Sequence, residues 1–84
     1  MEVNTIIGYK RFRNEQNVER LVVSVIQKPE PEDVKNGVVG YIVADVWIPV
    51  ELFGKFSSDV IGKVLKPSFA LVGKFARVID VEFV

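Results

Sequence analysis

Apolar positions along this chain alternate with polar ones or gather in short blocks, and no long stretch repeats them at helical spacing. Thr5 to Phe12 alternates loosely. The polar cluster Asn14-Glu15-Gln16-Asn17 reads as a turn. Leu21 to Ile26 is continuous and β-branched, the pattern of a strand with both faces buried or paired. These two runs predict a hairpin. Lys28 to Gly37 holds Pro29 and Pro31, which forbid a central strand. Pro31 followed by acids, with Asn36-Gly37 at the end, also fits one capped helical turn. Either form is an exposed acidic loop.

Val38 to Ile48 is the longest strand candidate, with Gly40 a bend or bulge. Gly40, Ile42, Ala44, Val46 and Ile48 share one parity and are predicted to face the core. Tyr41, Asp45 and Trp47 fall on the opposite, wetter face. Pro49 ends the strand, and Val50 to Phe53 predicts a short helical turn closed by Gly54. Ser57-Ser58-Asp59 is a second turn. Gly62 to Leu65 is extended, Lys66-Pro67-Ser68 interrupts it, and Phe69 to Val72 resumes. Gly73-Lys74 is a tight turn. Phe75 to Val84 closes the chain as a strand, with Phe75, Arg77, Ile79, Val81 and Phe83 as its more apolar face.

About five short strands with one helical turn after the third predict an all-β fold. We expect a small five-stranded OB-like barrel, with an SH3-like barrel as the alternative. Closure removes exposed strand edges. The 84 residues hold one such domain, residues 1–84, and no repeat or linker. A core this thin favours a second copy.

Composition then narrows the chemistry. There is no Cys and no His, which removes disulfides, thiolate metal sites, thiol catalysis and the commonest general base. The serines therefore lack a His partner, and neither Gly54-Lys55 nor Gly73-Lys74 has the spacing of a phosphate loop. The expectation is a protein that is not an enzyme and needs no cofactor. Glu30, Glu32 and Asp33 form the one dense acidic cluster, without calcium-loop spacing, so no metal site is expected. Met1-Glu2-Val3-Asn4 carry no basic stretch followed by an apolar run, so no secretory signal is expected. No apolar run approaches the roughly 20 residues of a spanning helix, so the expected compartment is the cytoplasm.

Eleven basic residues against eleven acidic ones sum to zero, which excludes a strongly basic, charge-driven polyanion binder. The zero hides an asymmetry. Residues 52–79 hold Lys55, Lys63, Lys66, Lys74 and Arg77 against Asp59 alone. Phosphate contacts act locally, so a neutral chain can still present a basic patch. Tyr9, Arg11 and Arg13 share one strand face, the combination that stacks on unpaired bases and follows phosphates. The alternative is a solvated face with Tyr9 half-buried at the barrel rim. Phe75 projects near the tip of the predicted Gly73-Lys74 hairpin, with Arg77 two residues along. Its ring wants a base, a second subunit or its own hairpin. Trp47 and Tyr41 either stack on bases or cover a barrel end or dimer seam.

One stretch carries a family pattern. It comprises Gly62-Lys63-Val64-Leu65, Ser68-Phe69-Ala70-Leu71-Val72-Gly73-Lys74-Phe75 and Val78-Ile79-Asp80. It resembles the gene V-like single-stranded-DNA-binding, helix-destabilising proteins of filamentous phages. One residue is gained before Val72-Gly73 and one lost after Phe75. The resemblance implies a five-stranded oligonucleotide-binding barrel, a homodimer, and cooperative coating of single-stranded DNA in phage or mobile-element replication. It implies base stacking by Phe75, with a basic residue soon after it on phosphates. Arg77 is the nearest here, and Lys74 adjoins the ring. The family's long basic, Tyr-bearing hairpin is missing. Its place is taken by the short Arg13–Arg20 turn or the acidic Pro29–Asn36 loop, so the expected ligand surface shifts to Tyr9, Arg11 and Arg13. Nothing in these residues separates DNA from RNA. The competing expectation is a β-barrel interaction module or accessory subunit with no nucleic-acid role, using Trp47, Tyr41 and Phe56 as a protein interface.

Overall fold

The longest β-branched run sets the centre of the molecule. The computed structural model describes residues 2–84. In it, β2 (Glu19–Gln27) lies between β1 (Ile6–Arg13) and β3 (Ile42–Trp47) in an antiparallel sheet. The β1–β2 turn is built by asparagines. Asn14 Oδ1 accepts the backbone N–H of Gln16 at 3.0 Å and of Val18 at 2.9 Å. Asn17 takes a φ of 60°, the left-handed region asparagine tolerates. Leu21, Val23 and Val25 alternate along β2 toward the core and are fully buried. Ala44 and Val46 of β3 pack on the same core, while Val43, Asp45 and Trp47 point away.

A bulge separates Ile6 from Gly8 in the β1–β2 register. Ile7 is the extra residue. Strict alternation from Tyr9 would turn Ile7 inward; the bulge turns Ile6 inward instead.

The acidic loop forms α1 (Pro31–Lys35), a single turn with proline in its first turn. Glu30 and Asp33 make a reciprocal capping box: the Glu30 side chain accepts the Asp33 N–H, and an Asp33 oxygen accepts the Glu30 N–H at 3.0 Å. Two of the cluster's three acids, Glu30 and Asp33, are thus occupied in capping. Gly40 has a φ of 92°, which ends any regular strand there, so β3 starts at Ile42 and not at Val38.

After β3, 3-10 turns at Val50–Lys55 and Ser58–Val60 place Leu52, Phe53 and Val60 in the core. The remaining strands, β4 (Leu65–Val72) and β5 (Phe75–Phe83), form a separate two-stranded antiparallel sheet. Lys66-Pro67-Ser68 does not interrupt β4. Proline survives because β4 is an edge strand with only β5 beside it along this stretch. Gly73 supplies a φ of 63° in the two-residue turn between them.

The two sheets meet at one seam. Thr5 bridges Val64, the Ile6 N–H donates to Lys63 O at 2.8 Å, and the Leu65 N–H donates to Asn4 O at 2.9 Å. No ladder joins β3 to β5 among the described residues, so the strands do not close into a barrel. One apolar cluster draws on both sheets: Ile6, Leu21, Val23 and Val25 from the first, Leu65 and Val81 from the second. No helix among the described residues is long and apolar enough to cross a membrane.

Candidate nucleic-acid interface

The β4–β5 hairpin extends past the core as an arm. Its register pairs Leu65 with Phe83 and Pro67 with Val81, then shifts between Ser68 and Phe69. Ile79 is the unmatched residue. Beyond it Phe69 faces Val78 and Leu71 faces Ala76 on the core side, while Ala70 faces Arg77 and Val72 faces Phe75 on the other. The single apolar face expected from Phe75 to Phe83 is therefore split. Phe75 and Arg77 stand on the face opposite Val81 and Phe83, because the bulge inverts the alternation between them. Both remain together, as their spacing required. Phe75 is 78% exposed at the turn, and Lys74 lies beside it with no hydrogen bond or ion pair among the described residues. Arg77 reaches the Glu51 carboxylate at 3.8 Å.

Tyr9, Arg11 and Arg13 do share a face, and it is the core side of the first sheet. They pair with Val23, Leu21 and Glu19 across β2. The Tyr9 ring is half-buried, tilted against Phe56 with centroids 5.7 Å apart. Phe56 in turn meets Phe83 edge-on at 5.2 Å, so this aromatic row closes one side of the core. Arg11 Nε donates to the Glu19 carboxylate, and its guanidinium lies 5.2 Å over the Phe53 ring. That charge-assisted hydrogen bond holds the Glu19 carboxyl below its ordinary value of 4.5. Arg13 Nη1 donates to Asn17 O at 3.2 Å in the turn. The three side chains thus serve core, ion pair and turn.

The basic residues of the C-terminal half are dispersed. The Lys55 ammonium binds Asp80, and this contact, with the Val81 N–H, holds the Asp80 carboxyl below its usual range. Lys63 and Lys66 are exposed near the seam between the sheets. No group of three or more carboxylates among the described residues is placed to hold a metal.

A second aromatic cluster lies on the outer face of the three-stranded sheet. Lys10, Val22 and Trp47 form one row across it, and Phe12 lies opposite Arg20 in the next. The Phe12 and Trp47 rings meet edge-on at 6.1 Å, and Lys10 Nζ lies 5.2 Å from the Phe12 centroid. Trp47 stays 58% exposed on this face, and Tyr41, ahead of β3 and outside its register with β2, is 50% exposed. The Trp47 edge continues into a shallow groove of about 340 Å³ lined by Arg20, Ile48, Pro49, Ala76, Arg77 and Val78. Sequence reasoning placed Trp47 on a wet face but paired it with Tyr41. It missed Phe12, Lys10 and Arg20, whose shared parity along the hairpin was the available signal. Comparison of the chain with family models, with curated proteins and with solved structures gives no match.

Proposed function

We propose that this protein binds single-stranded nucleic acid, DNA in the first place, as a homodimer with an OB-like, partly open barrel. Its role would be the sequence-tolerant coating of unpaired strands in phage or mobile-element replication, in the host cytoplasm. The observation that carries this reading is Phe75: a phenyl ring 78% exposed at a hairpin tip, sharing its face with Arg77 and adjoining Lys74. An exposed ring flanked by cations gains by stacking on a base, while the cations meet phosphates. The Thr5–Val64 bridge supports the OB-like reading, since it joins the first strand to the start of the fourth. The arm's other face supports the dimer. Phe69 is 58% and Leu71 81% exposed there, an apolar surface suited to a second copy.

Phe75→Ala tests the reading. It should weaken binding of a single-stranded oligonucleotide about 5- to 150-fold, the equivalent of one lost stacking contact, with unchanged circular dichroism and melting. Unaltered affinity, or a protein that unfolds, would remove Phe75 from the role.

The interaction-module reading keeps one supporting observation, the same exposed apolar arm. It would use Phe69, Leu71 and Trp47. Phe56 drops out, because its ring lies between Tyr9 and Phe83. A protein that self-associates with rising concentration and ignores oligonucleotides would favour that alternative.

A further inference from the structure

We infer that the outer face of the three-stranded sheet is a second base-stacking surface, with Trp47 and Phe12 as its platform and Lys10, Arg20 and Arg77 as its phosphate contacts. The inference rests on the single-strand reading and extends it from the hairpin tip to a continuous track. Three observations carry it.

First, the indole stands exposed on the outer face, with the half-buried Phe12 ring against it. Trp47 is 58% exposed although its neighbours Val46 and Ile48 turn inward. An indole left on a sheet surface, with Phe12 edge-on at 6.1 Å, offers a flat apolar face that duplex bases cannot reach and unpaired bases can.

Second, the charge is complementary to a polyanion. Lys10 and Arg20 flank the rings, and neither is ion-paired among the described residues. Of the acids nearby, Glu51 faces Arg77 at 3.8 Å, and Asp45 accepts the uncharged Ser24 hydroxyl at 3.1 Å, so the cations outnumber the one acid without an ion pair among the described residues.

Third, the surface is continuous with the arm. The groove beside Trp47 runs from Arg20 to Ala76 and Arg77 on β5, and Arg77 shares its face with Phe75. A strand laid along it would meet Phe12 and Trp47, then Arg77, then Phe75. The occupant is a single strand of nucleic acid and not a protein segment, because Lys10 and Arg20 flank the ring pair and Arg77 stands between it and Phe75.

Trp47 is the only tryptophan, so its emission reports this face alone. The experiment titrates the full chain with unlabelled oligo-dT of about 20 nucleotides, following Trp47 fluorescence and, in parallel, anisotropy of an end-labelled copy. The expected result is quenching that saturates with the anisotropy. Trp47→Ala should bind about 5- to 150-fold more weakly, and Trp47→Phe should recover part of the loss. Lys10→Ala should lower the salt slope by about one. Binding by anisotropy with unchanged Trp47 emission, and wild-type affinity in Trp47→Ala, would overturn this inference and leave the hairpin reading standing. No binding at low salt would overturn both.

Discussion

Ile6 and Ile7 are neighbours of identical chemistry, and the β1 bulge gives them opposite fates. Ile6 is fully buried and Ile7 is 45% exposed. Ile6→Ala removes three carbons from a site closed by the core around Leu65 and Val81, where the lost transfer energy and the residual cavity add. Such changes cost about 2 to 5 kcal/mol. Ile7→Ala removes a side chain that is only half desolvated, at about 1 kcal/mol. The whole fold of an 84-residue chain is worth about 4 to 13 kcal/mol, so Ile6→Ala takes a large share of it. Thermal unfolding followed by far-UV circular dichroism reads the difference directly. Ile6→Ala should lower the melting temperature by about 8 °C or more, and Ile7→Ala by clearly less. Strict alternation without the bulge would bring Ile7 inward beside Tyr9 and expel Ile6. An Ile7→Ala cost equal to or above that of Ile6→Ala would therefore refute the bulged register.

Three further outcomes follow from the geometry. Gly73→Ala forces a side chain into a φ of 63° and should destabilise by about 1 to 2 kcal/mol by urea unfolding, whereas an unchanged midpoint would contradict the turn. Asp33→Ala breaks the capping box and should cost about 1 kcal/mol, with faster amide exchange over residues 30–36, and unaltered exchange would show α1 stands without it. The Glu19 carboxyl, held by Arg11, should titrate below its ordinary 4.5 in a side-chain NMR titration and return upward in Arg11→Ala. Because its folded value is depressed, the pair's stabilisation is complete above pH 4.5 and is lost as pH falls through the lowered value. A Glu19 midpoint at or above 4.5 would dissolve the pair.

Much of the fold was legible in local chemistry. The Asn14–Asn17 turn, the strand at Leu21 to Ile26, the core face of β3 and the Gly73-Lys74 turn all depend on residues adjacent in sequence, whereas the one-sided burial of Leu21, Val23 and Val25 was hidden by their continuous β-branched run. The bulges at Ile7 and Ile79 were not legible, because a bulge is decided by the partner strand's register and leaves the β-branched pattern unchanged. The closure of the barrel failed for a related reason. Whether β3 pairs with β5 is a tertiary choice between segments distant in the chain, which local pattern does not carry. Phe75 with Arg77 could be paired from their spacing. Tyr9 and Arg11 could be placed on one face, but not on which, since the aromatic row through Phe56 and Phe83 arrives from later segments.

The central claim is met most directly by anisotropy of a labelled poly-dT of about 20 nucleotides, titrated with the protein at low and at moderate salt beside a duplex of equal length. The account predicts single-strand binding that weakens steeply as salt rises, with the duplex bound less well. Absence of binding at low salt, or equal affinity for the duplex, would contradict it.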